Sequence, residues 1–283
     1  MSLTMLFGSF IAGASSEGGG AVAFPVMTLI FKISPMIARD FSLLIQSFGM
    51  SCASYSIWKQ KIVVEFNVIK YSLLGGFIGQ AIGFIFLDGK LNPVWVKVSF
   101  TSIWLSFALV LFLVNKRKIQ KEAIDLTVNN KIHLFLITIV GGLISAITGS
   151  GIDILTFSYL VLFLSLNEKI ATPTSVILMA INSVFGVLLK FLIKDGISME
   201  AYQYWLVCLP IVIFGAPLGS LYIVKKSRGF LIKFLQISIF IQFIFSWIIL
   251  DLTIYLKVWS LFLIIFGFMF WYIVHRQGLK VDK

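Results

Sequence analysis

The sequence predicts an all-α, polytopic integral membrane protein. Of its 283 residues, 59% are hydrophobic and only 12% are charged, and the mean hydropathy is +1.01. A soluble domain is excluded, because water-soluble proteins usually have about 25% charged residues. Long stretches of the chain contain no charge, and the charged residues cluster between them. This pattern is typical of helices that cross a bilayer and of the loops that join them.

The formal net charge is +11, from 23 Lys and Arg against 12 Asp and Glu. Because the basic residues gather at the ends of apolar segments, we assign them to membrane orientation and lipid headgroup contact. The expected partners are the lipid bilayer and a small anionic solute, with no nucleic acid, and a homodimer is left open. No metal, cofactor or enzyme motif is found, since His-Glu-x-x-His, Gly-x-Ser-x-Gly and Walker A patterns are absent. We therefore do not expect an enzyme.

Two of the apolar segments are broken. A window of about 20 apolar residues spans the hydrocarbon core, and it finds nine blocks: Leu3–Phe31, Met36–Trp58, Phe66–Leu87, Val94–Val114, Ile132–Leu166, Ile170–Ile193, Tyr202–Val224, Phe230–Leu250 and Leu252–Val274. The first and fifth blocks are longer than one crossing needs, and small, polar and acidic residues interrupt them at 13–20 and 148–153. Dense glycine and an intramembrane carboxylate both disfavour a continuous lipid-facing helix.

The two broken blocks also mark an internal repeat. An ungapped shift of 133 residues aligns 8–58 with 141–191, and a shift of 136 pairs Gly79 and Gly83 with Gly215 and Gly219. Each of these Gly-x-x-x-Gly pairs predicts a close helix contact. We therefore predict membrane repeats at 1–115 and 132–250, joined by a charged linker at 116–131 and followed by an extra C-terminal helix and tail at 251–283.

The distribution of basic residues favours re-entrant segments. If all nine blocks cross the membrane, the 23 basic residues divide 11 to 12. If the two broken blocks return to the side they came from, 16 lie on one side and seven on the other, namely Lys32, Arg39, Lys90, Lys97, Lys190, Lys194 and Lys257. The positive-inside rule then predicts about seven full crossings, an outside N-terminus and a cytoplasmic C-terminus. Three crossings in each repeat make the repeats inverted, an architecture found in transporters.

Several motifs together carry a family resemblance. Gly18-Gly19-Gly20 is followed by Pro25 and then by Ala38 and Ser42 on the next helix, and the pattern recurs in weaker form in the second half. Over nearly the whole chain the sequence resembles the TauE/SafE membrane transporters. The resemblance implies a secondary transporter that exports sulfite or organosulfonates across the bacterial inner membrane.

The breaks supply candidate substrate ligands. Glycine-rich backbone at a helix N-terminus offers N–H groups and a positive dipole end to an oxyanion, and nearby hydroxyl, amide and guanidinium groups add donors. The alternative is that the glycines only permit tight turns and close packing. The candidate substrate-binding residues are Ser15, Ser16, Gly18, Gly19, Gly20, Arg39, Gln46, Thr148, Gly149, Ser150, Gly151, Thr172, Thr174, Ser175 and Asn182.

Several polar residues have a second interpretation. Arg39 either faces the substrate or forms a salt bridge with Asp40. Gln46 and Asn182 either line a pathway or form hydrogen bonds between helices. Near the end of the sixth block, we expect Lys190 and Lys194 to extend their ammonium groups to the membrane surface.

Glu17 and Asp153 are the predicted proton-coupling residues. An acidic residue inside a membrane is costly and usually functional, and either carboxyl group could take up and release a proton. The alternative is that each carboxylate caps the helix that follows it. Ser16-Glu17 precedes the first glycines, and Ile152-Asp153 stands where the family pattern has two glycines. These departures leave a cation or neutral solute as the alternative substrate.

Overall fold

The computed structural model describes residues 2–15, 18–87, 89–114, 122–193, 196–249 and 252–281. Within these ranges the chain forms helices and loops without a β-strand, in agreement with the predicted fold class. Two π-helical turns, Val26–Ile30 and Gly83–Leu87, extend the second and fourth helices. The α-helices are α1 Ser2–Ala14, α2 Gly18–Pro25, α3 Pro35–Lys59, α4 Phe66–Ile82, α5 Pro93–Val114, α6 Val128–Thr148, α7 Ile152–Leu162, α8 Glu168–Ile193, α9 Met199–Val224, α10 Arg228–Ile249 and α11 Ile254–Val281.

The helices confirm a polytopic membrane protein. Seven segments of the described chain are long and apolar enough to cross a membrane: Phe66–Leu87, Val94–Val114, Val128–Thr148, Glu168–Ile193, Met199–Ile223, Arg228–Ile248 and Ile254–Leu279. Helix α3 is 25 residues long but less apolar, because it carries Arg39, Asp40 and several serines. Helix α6 begins before the predicted block because the hydroxyl of Thr127 caps it, accepting the N–H of Asn130 at 3.3 Å.

Both predicted interruptions separate two helices. The first break lies between Ala14 and Gly18, and the second break comprises residues 149–151. In the second break Gly149 has a φ of 87° and Gly151 a φ of 151°, conformations that residues with a Cβ rarely adopt. The N–H of Gly149 donates to the carbonyl of Ser145 at 2.8 Å, which closes the last turn of α6. Glycine therefore ends one helix here and allows the next to start in a new direction.

The Gly-x-x-x-Gly pairs lie at two close helix contacts, as predicted. Helix α4 packs against α6, where a Cβ added at Gly79 would overlap the carbonyl oxygen of Ile139. Helix α9 packs against α1, where a Cβ at Gly215 would overlap the hydroxyl of Ser9. In both pairs the backbones approach so closely that only glycine fits.

The short helices after the breaks turn back on the helices before them. A Cβ on Gly8 of α1 would lie 3.3 Å from a methyl group of Val22 on α2. Near the end of α7, the hydroxyl of Tyr159 lies 3.3 Å from His133 Nδ1, and His133 belongs to the first turns of α6. Each broken block therefore has the form of a helical hairpin.

The hairpins pack onto a central pair of helices. Helices α3 and α8 contact one another, and Leu43 of α3 would lie 3.1 Å from a Cβ on Gly186 of α8. Helix α2 packs on α3, and α7 packs on α8. Helices α5, α10 and α11 complete the largest apolar cluster, in which Phe107, Phe157 and Trp271 are buried. Both breaks are thereby placed close to the α3–α8 contact.

The close contact at Gly79 predicts that alanine lowers the stability of the protein there but not at an open glycine. In Gly79→Ala the new methyl group collides with the backbone of α6, and overpacking of this kind costs about 1–3 kcal/mol. Gly229→Ala is the matched control, since a Cβ there meets nothing within 4 Å. We expect the first variant to melt at a lower temperature than the wild type and the control to melt at the same or a slightly higher one. Tryptophan fluorescence during heating of the detergent-purified protein measures both, and equal melting temperatures would contradict the close contact.

Candidate functional site

The two breaks meet at Gly18, the first residue of α2. Gly18 has a φ of 64°, in the left-handed region that glycine tolerates. A Cβ built there would lie 2.8 Å from Oδ2 of Asp153 and would overlap Oε1 of Gln46. The start of α2 therefore lies directly against a carboxylate of α7 and an amide of α3.

Gln46 connects α3 to the second break. Its Nε2 donates to the carbonyl of Gly149 at 2.7 Å and to the carbonyl of Ser42 at 3.0 Å. Because these two acceptors fix the nitrogen, Oε1 has to point toward Gly18. This oxygen is buried and has no hydrogen-bond partner among the described residues.

One carboxylate oxygen of Asp153 accepts a hydrogen bond from the second break. Oδ1 accepts the backbone N–H of Gly151 at 3.0 Å, which stabilises the turn that starts α7. The side chain is fully buried, and within the described part of the chain Oδ2 lacks a hydrogen-bond partner. Oδ2 and Oε1 of Gln46 both lie within 2.8 Å of the same point, the Cβ position of Gly18. Both oxygens are buried acceptors, and a proton on Asp153 would turn one of them into a donor.

The backbone N–H groups of the second break already have acceptors. Ile152 donates to the hydroxyl of Ser145 at 3.2 Å, a residue that the sequence did not single out. Gly151 donates to Asp153, and Ser150 donates to Thr148 Oγ1 at 3.5 Å. An oxyanion at this break would have to displace these bonds. The first N–H groups of α2, like those of α7, have no acceptor within their own helix.

Two further buried amides lie between α4 and α8. Asn182 would be 3.0 Å from a Cβ on Gly76, and Gln80 would collide with a Cβ on Gly186. Neither amide has a hydrogen-bond partner in the described part of the chain. Sequence reasoning named Asn182 but missed Gln80, although an amide inside the Gly79-x-x-x-Gly83 segment is a polar group at membrane depth.

The hydroxyl groups of Thr174 and Ser175, near the start of α8, bond to backbone groups. Thr174 accepts the N–H of Glu65 at 3.0 Å and donates to Ile170, and Ser175 donates to Thr172. Eight residues separate Thr174 from Asn182, or about 12 Å along an α-helix. Thr172, Thr174 and Ser175 therefore lie N-terminal to Asn182 on α8, and their place in a substrate site stays a prediction.

The candidates in and beside the two breaks include three further groups. The hydroxyls of Ser15 and Thr148 bond to nearby backbone, at Ile11 (2.9 Å) and Ser150 (2.7 Å). Gly19 and Gly20 belong to the first turn of α2. Ser16 and Glu17 lie outside the described residues.

Arg39 forms the salt bridge that was its alternative interpretation. Its Nη2 lies 2.8 Å from Asp40 Oδ1, and both side chains are buried. Lys190 corrects a prediction: its side chain does not reach the membrane surface but is buried, with Nζ 3.4 Å from the same carboxylate oxygen. An ion pair with Asp40 replaces the solvation that the surface would have given. Lys194 is outside the described residues.

Comparison with known proteins gives one family. The family model described as sulfite exporter TauE/SafE matches residues 1–245. The chain belongs to the TauE/SafE family. No curated protein and no solved structure matches the chain. The match runs from the start of the chain into α10, so this TauE/SafE protein carries α11 beyond the matched region.

Family membership fixes the general character of the protein. TauE/SafE proteins are membrane transporters described as sulfite exporters, and seven apolar helices of the described chain fit a multi-pass membrane protein. At the family level the protein is a transporter and not an enzyme.

Glycine is required at Gly18 for space as well as conformation. Gly18 and Gly89 both have left-handed φ values, 64° and 73°, where a side chain costs about 1–2 kcal/mol. Only Gly18 is crowded, because a Cβ on Gly89 meets nothing within 4 Å. We expect Gly18→Ala to lower sulfite uptake into proteoliposomes about tenfold or more, since it displaces Gln46 and Asp153. Gly229→Ala, where a Cβ also meets nothing within 4 Å, should remain near the wild-type rate, and equal rates for both variants would contradict the Gly18 contact.

Proposed function

We propose that this protein is a secondary transporter that exports sulfite or an organosulfonate by alternating access around the two breaks, with proton coupling at Asp153 and Glu17. The observation that carries the proposal is the meeting of Gly18, Gln46 and Asp153 at the N-terminus of α2. This point combines a helix terminus that attracts anions with a carboxyl group that can lose its charge.

The N-terminus of α2 is the proposed oxyanion site. The first N–H groups of a helix and its positive dipole end together favour a negative charge. Gly18, Gly19 and Gly20 have no side chains to keep an oxyanion away from that backbone. In the described conformation the carboxyl group of Asp153 lies at this position. An ionised Asp153 would repel an incoming oxyanion, whereas a protonated one would not.

Protonation of Asp153 supplies the proposed coupling. A protonated carboxyl group can donate to Oε1 of Gln46, which gives both facing oxygens a partner. The N-terminus of α2 then has no anion beside it and can accept the substrate. Proton and oxyanion therefore bind and cross together, so net export requires an outward gradient of the anion that exceeds any inward gradient of the proton. The negative potential inside the cell adds to this driving force for any complex that keeps a net negative charge.

An inverted pair of repeats is part of the proposal. Under the two sequence shifts Gly83 corresponds to Gly219, and Leu143 corresponds to Phe10. A Cβ on Gly83 would lie 3.3 Å from the carbonyl oxygen of Leu143, and one on Gly219 would overlap that of Phe10. These matching contacts support two repeats that exchange their first helices. Together with the basic residues they favour re-entrant hairpins from opposite faces, with the N-terminus outside and the C-terminus in the cytoplasm.

Transport into proteoliposomes tests the function. Purified protein is reconstituted, and uptake of radiolabelled sulfite is followed with acid outside, with no gradient, and with a protonophore. We expect saturable uptake that the inward proton gradient accelerates and that empty liposomes lack. Uptake no faster than in empty liposomes, in monodisperse protein, for both sulfite and methanesulfonate would overturn the proposal.

One observation favours a second candidate, transport of a cation. Oε1 of Gln46 and Oδ2 of Asp153 both lie beside Gly18 without a hydrogen-bond donor among the described residues, and oxygens of these two kinds coordinate cations. Replacing all sodium with N-methylglucamine distinguishes the candidates. Unchanged sulfite uptake supports coupling to a proton, whereas uptake that requires sodium supports a cation site at Gln46 and Asp153.

A further inference from the structure

A second group of charges lies where α3 meets α8. Arg39 Nε and Nη2 lie 3.0 and 2.8 Å from Asp40 Oδ1, and Lys190 Nζ lies 3.4 Å from that same oxygen. The backbone N–H of Ser198, just before α9, donates to Oδ2 at 3.3 Å. Two cations and a backbone donor thus converge on one buried carboxylate. This is the donor set that binds a free oxyanion in many proteins.

Phe84 holds both cations in place. Arg39 Cζ lies 5.5 Å and Lys190 Nζ lies 5.9 Å from the centroid of its ring, and the ring is fully buried. Contact with an aromatic face stabilises a cation without neutralising it. Arg39 and Asp40 are adjacent on a helix, where neighbouring side chains do not face each other, so their ion pair needs a bent side chain. The cations are thus held by groups other than Asp40 as well.

Arg39, one member of this group, lines a cavity. The cavity has a volume of about 220 Å³ and is lined by Arg39 together with Ser34, Met36 and Gly89. A cavity of this size has room for several molecules as large as water. On the other side, the carbonyl oxygen of Arg39 would lie 3.2 Å from a Cβ on Gly149. Arg39 therefore stands between an accessible cavity and one of the breaks.

We propose that Arg39 and Lys190 form a peripheral oxyanion site, in which the carboxylate of Asp40 occupies the place that a sulfite or sulfonate group takes on its way to the breaks. The ligand class rests on the proposed function, but the site itself rests on the convergence of donors beside the cavity. The carboxylate of Asp40 competes with the ligand for Arg39 and Lys190. It forms ion pairs with both side chains when no substrate is bound, and an incoming oxyanion displaces it. Because Asp40 also accepts from Ser198, its displacement releases the start of α9.

Charge variants test the site by binding and not by transport. Dissociation constants for sulfate and methanesulfonate are obtained from ligand-induced thermal stabilisation of purified protein. Asp40→Asn removes the competitor and should tighten binding about tenfold or more, the scale of one charge-assisted contact. Lys190→Gln should weaken it by a similar factor. Lys226→Gln is the matched control, because Lys226 also lies over an aromatic ring, 4.5 Å from Tyr222, but outside this group.

Thiol protection tests the location of the site. It remains informative even when Asp40→Asn does not fold, because it leaves Asp40 unchanged. In a background with Cys52→Ser and Cys208→Ala, Met36→Cys places a thiol on the cavity wall. Sulfate should slow its reaction with a thiol reagent about tenfold at saturating concentration. Tyr255→Cys, an exposed position at the start of α11 that lies outside the cavity lining, should react at the same rate with or without sulfate.

The outcomes separate this proposal from the proposed function. Wild-type affinity in Asp40→Asn and Lys190→Gln, together with an unprotected thiol at residue 36, would overturn the peripheral site even if the wild type transports sulfite. Conversely, tighter binding in Asp40→Asn and protection of that thiol would support the site even if proteoliposomes show no sulfite transport.

Discussion

Replacing Asp153 with asparagine is expected to uncouple sulfite movement from the proton gradient. Asparagine keeps the shape of the side chain, and its amide donates permanently where only a protonated carboxyl group can donate. A gradient of about two pH units can support accumulation of about 100-fold through one coupled proton, since each unit corresponds to a factor of ten. We expect this accumulation in the wild type to be lost in Asp153→Asn. Exchange of internal for external radiolabelled sulfite should persist, because the anion site itself is intact.

Asp125→Asn is the matched control for this prediction. Asp125 is an exposed carboxylate before α6, so the same substitution there removes a charge without touching the breaks. Its accumulation should equal that of the wild type. If Asp153→Asn also accumulates sulfite in response to the gradient, Asp153 does not carry the coupled proton, and Glu17→Gln becomes the informative variant.

Gln46→Leu is expected to have the second largest effect, a loss of transport in a less stable protein. Leucine cannot donate to the buried carbonyl of Gly149, and an unpaired buried acceptor costs about 1–3 kcal/mol. The substitution also removes the oxygen that faces Asp153, so the protonated carboxyl group loses its acceptor. Sulfite uptake should fall about tenfold to 100-fold if a cost of that size falls on the transport step. Initial rates and melting temperatures of the same preparation measure both effects.

Gln236→Leu controls for the loss of an amide in a membrane helix. Gln236 of α10 also donates to a backbone carbonyl on another helix, that of Ala108 on α5, at 3.4 Å. Its removal should lower stability slightly and leave uptake near the wild-type rate. An equal loss of uptake in both variants would mean that Gln46 acts only through packing.

Much of the fold could be predicted from local features of the sequence. Apolar length fixed the number and approximate limits of the helices, because a membrane helix must satisfy its own backbone and be long enough to span the bilayer. The glycines at 149 and 151 marked the second break for a similar reason, since few residues other than glycine adopt their φ values. Family membership also followed from motifs that can be seen in the sequence, and the family match confirmed it.

The roles of individual side chains were harder to predict, because they depend on what another helix places beside them. Lys190 has the sequence context of a lysine that extends to the membrane surface, yet Asp40 from α3 holds it inside. Gln80 stood out less than Gln46 until α8 was placed next to it. Thr174 was predicted as a substrate ligand because of its hydroxyl group. In the folded protein that hydroxyl accepts the backbone N–H of Glu65, just before α4.

The sequence by itself determined a polytopic helical membrane protein of the TauE/SafE family, with two glycine breaks and acidic residues in both. These properties follow from composition and from local backbone preference, which act over a few residues. Only the tertiary structure decided that Gly18, Gln46 and Asp153 share one point, and that Arg39 and Lys190 share Asp40. These contacts join residues that are far apart in the chain, and the packing of α2 on α3, of α7 on α8 and of α3 on α8 brings them together.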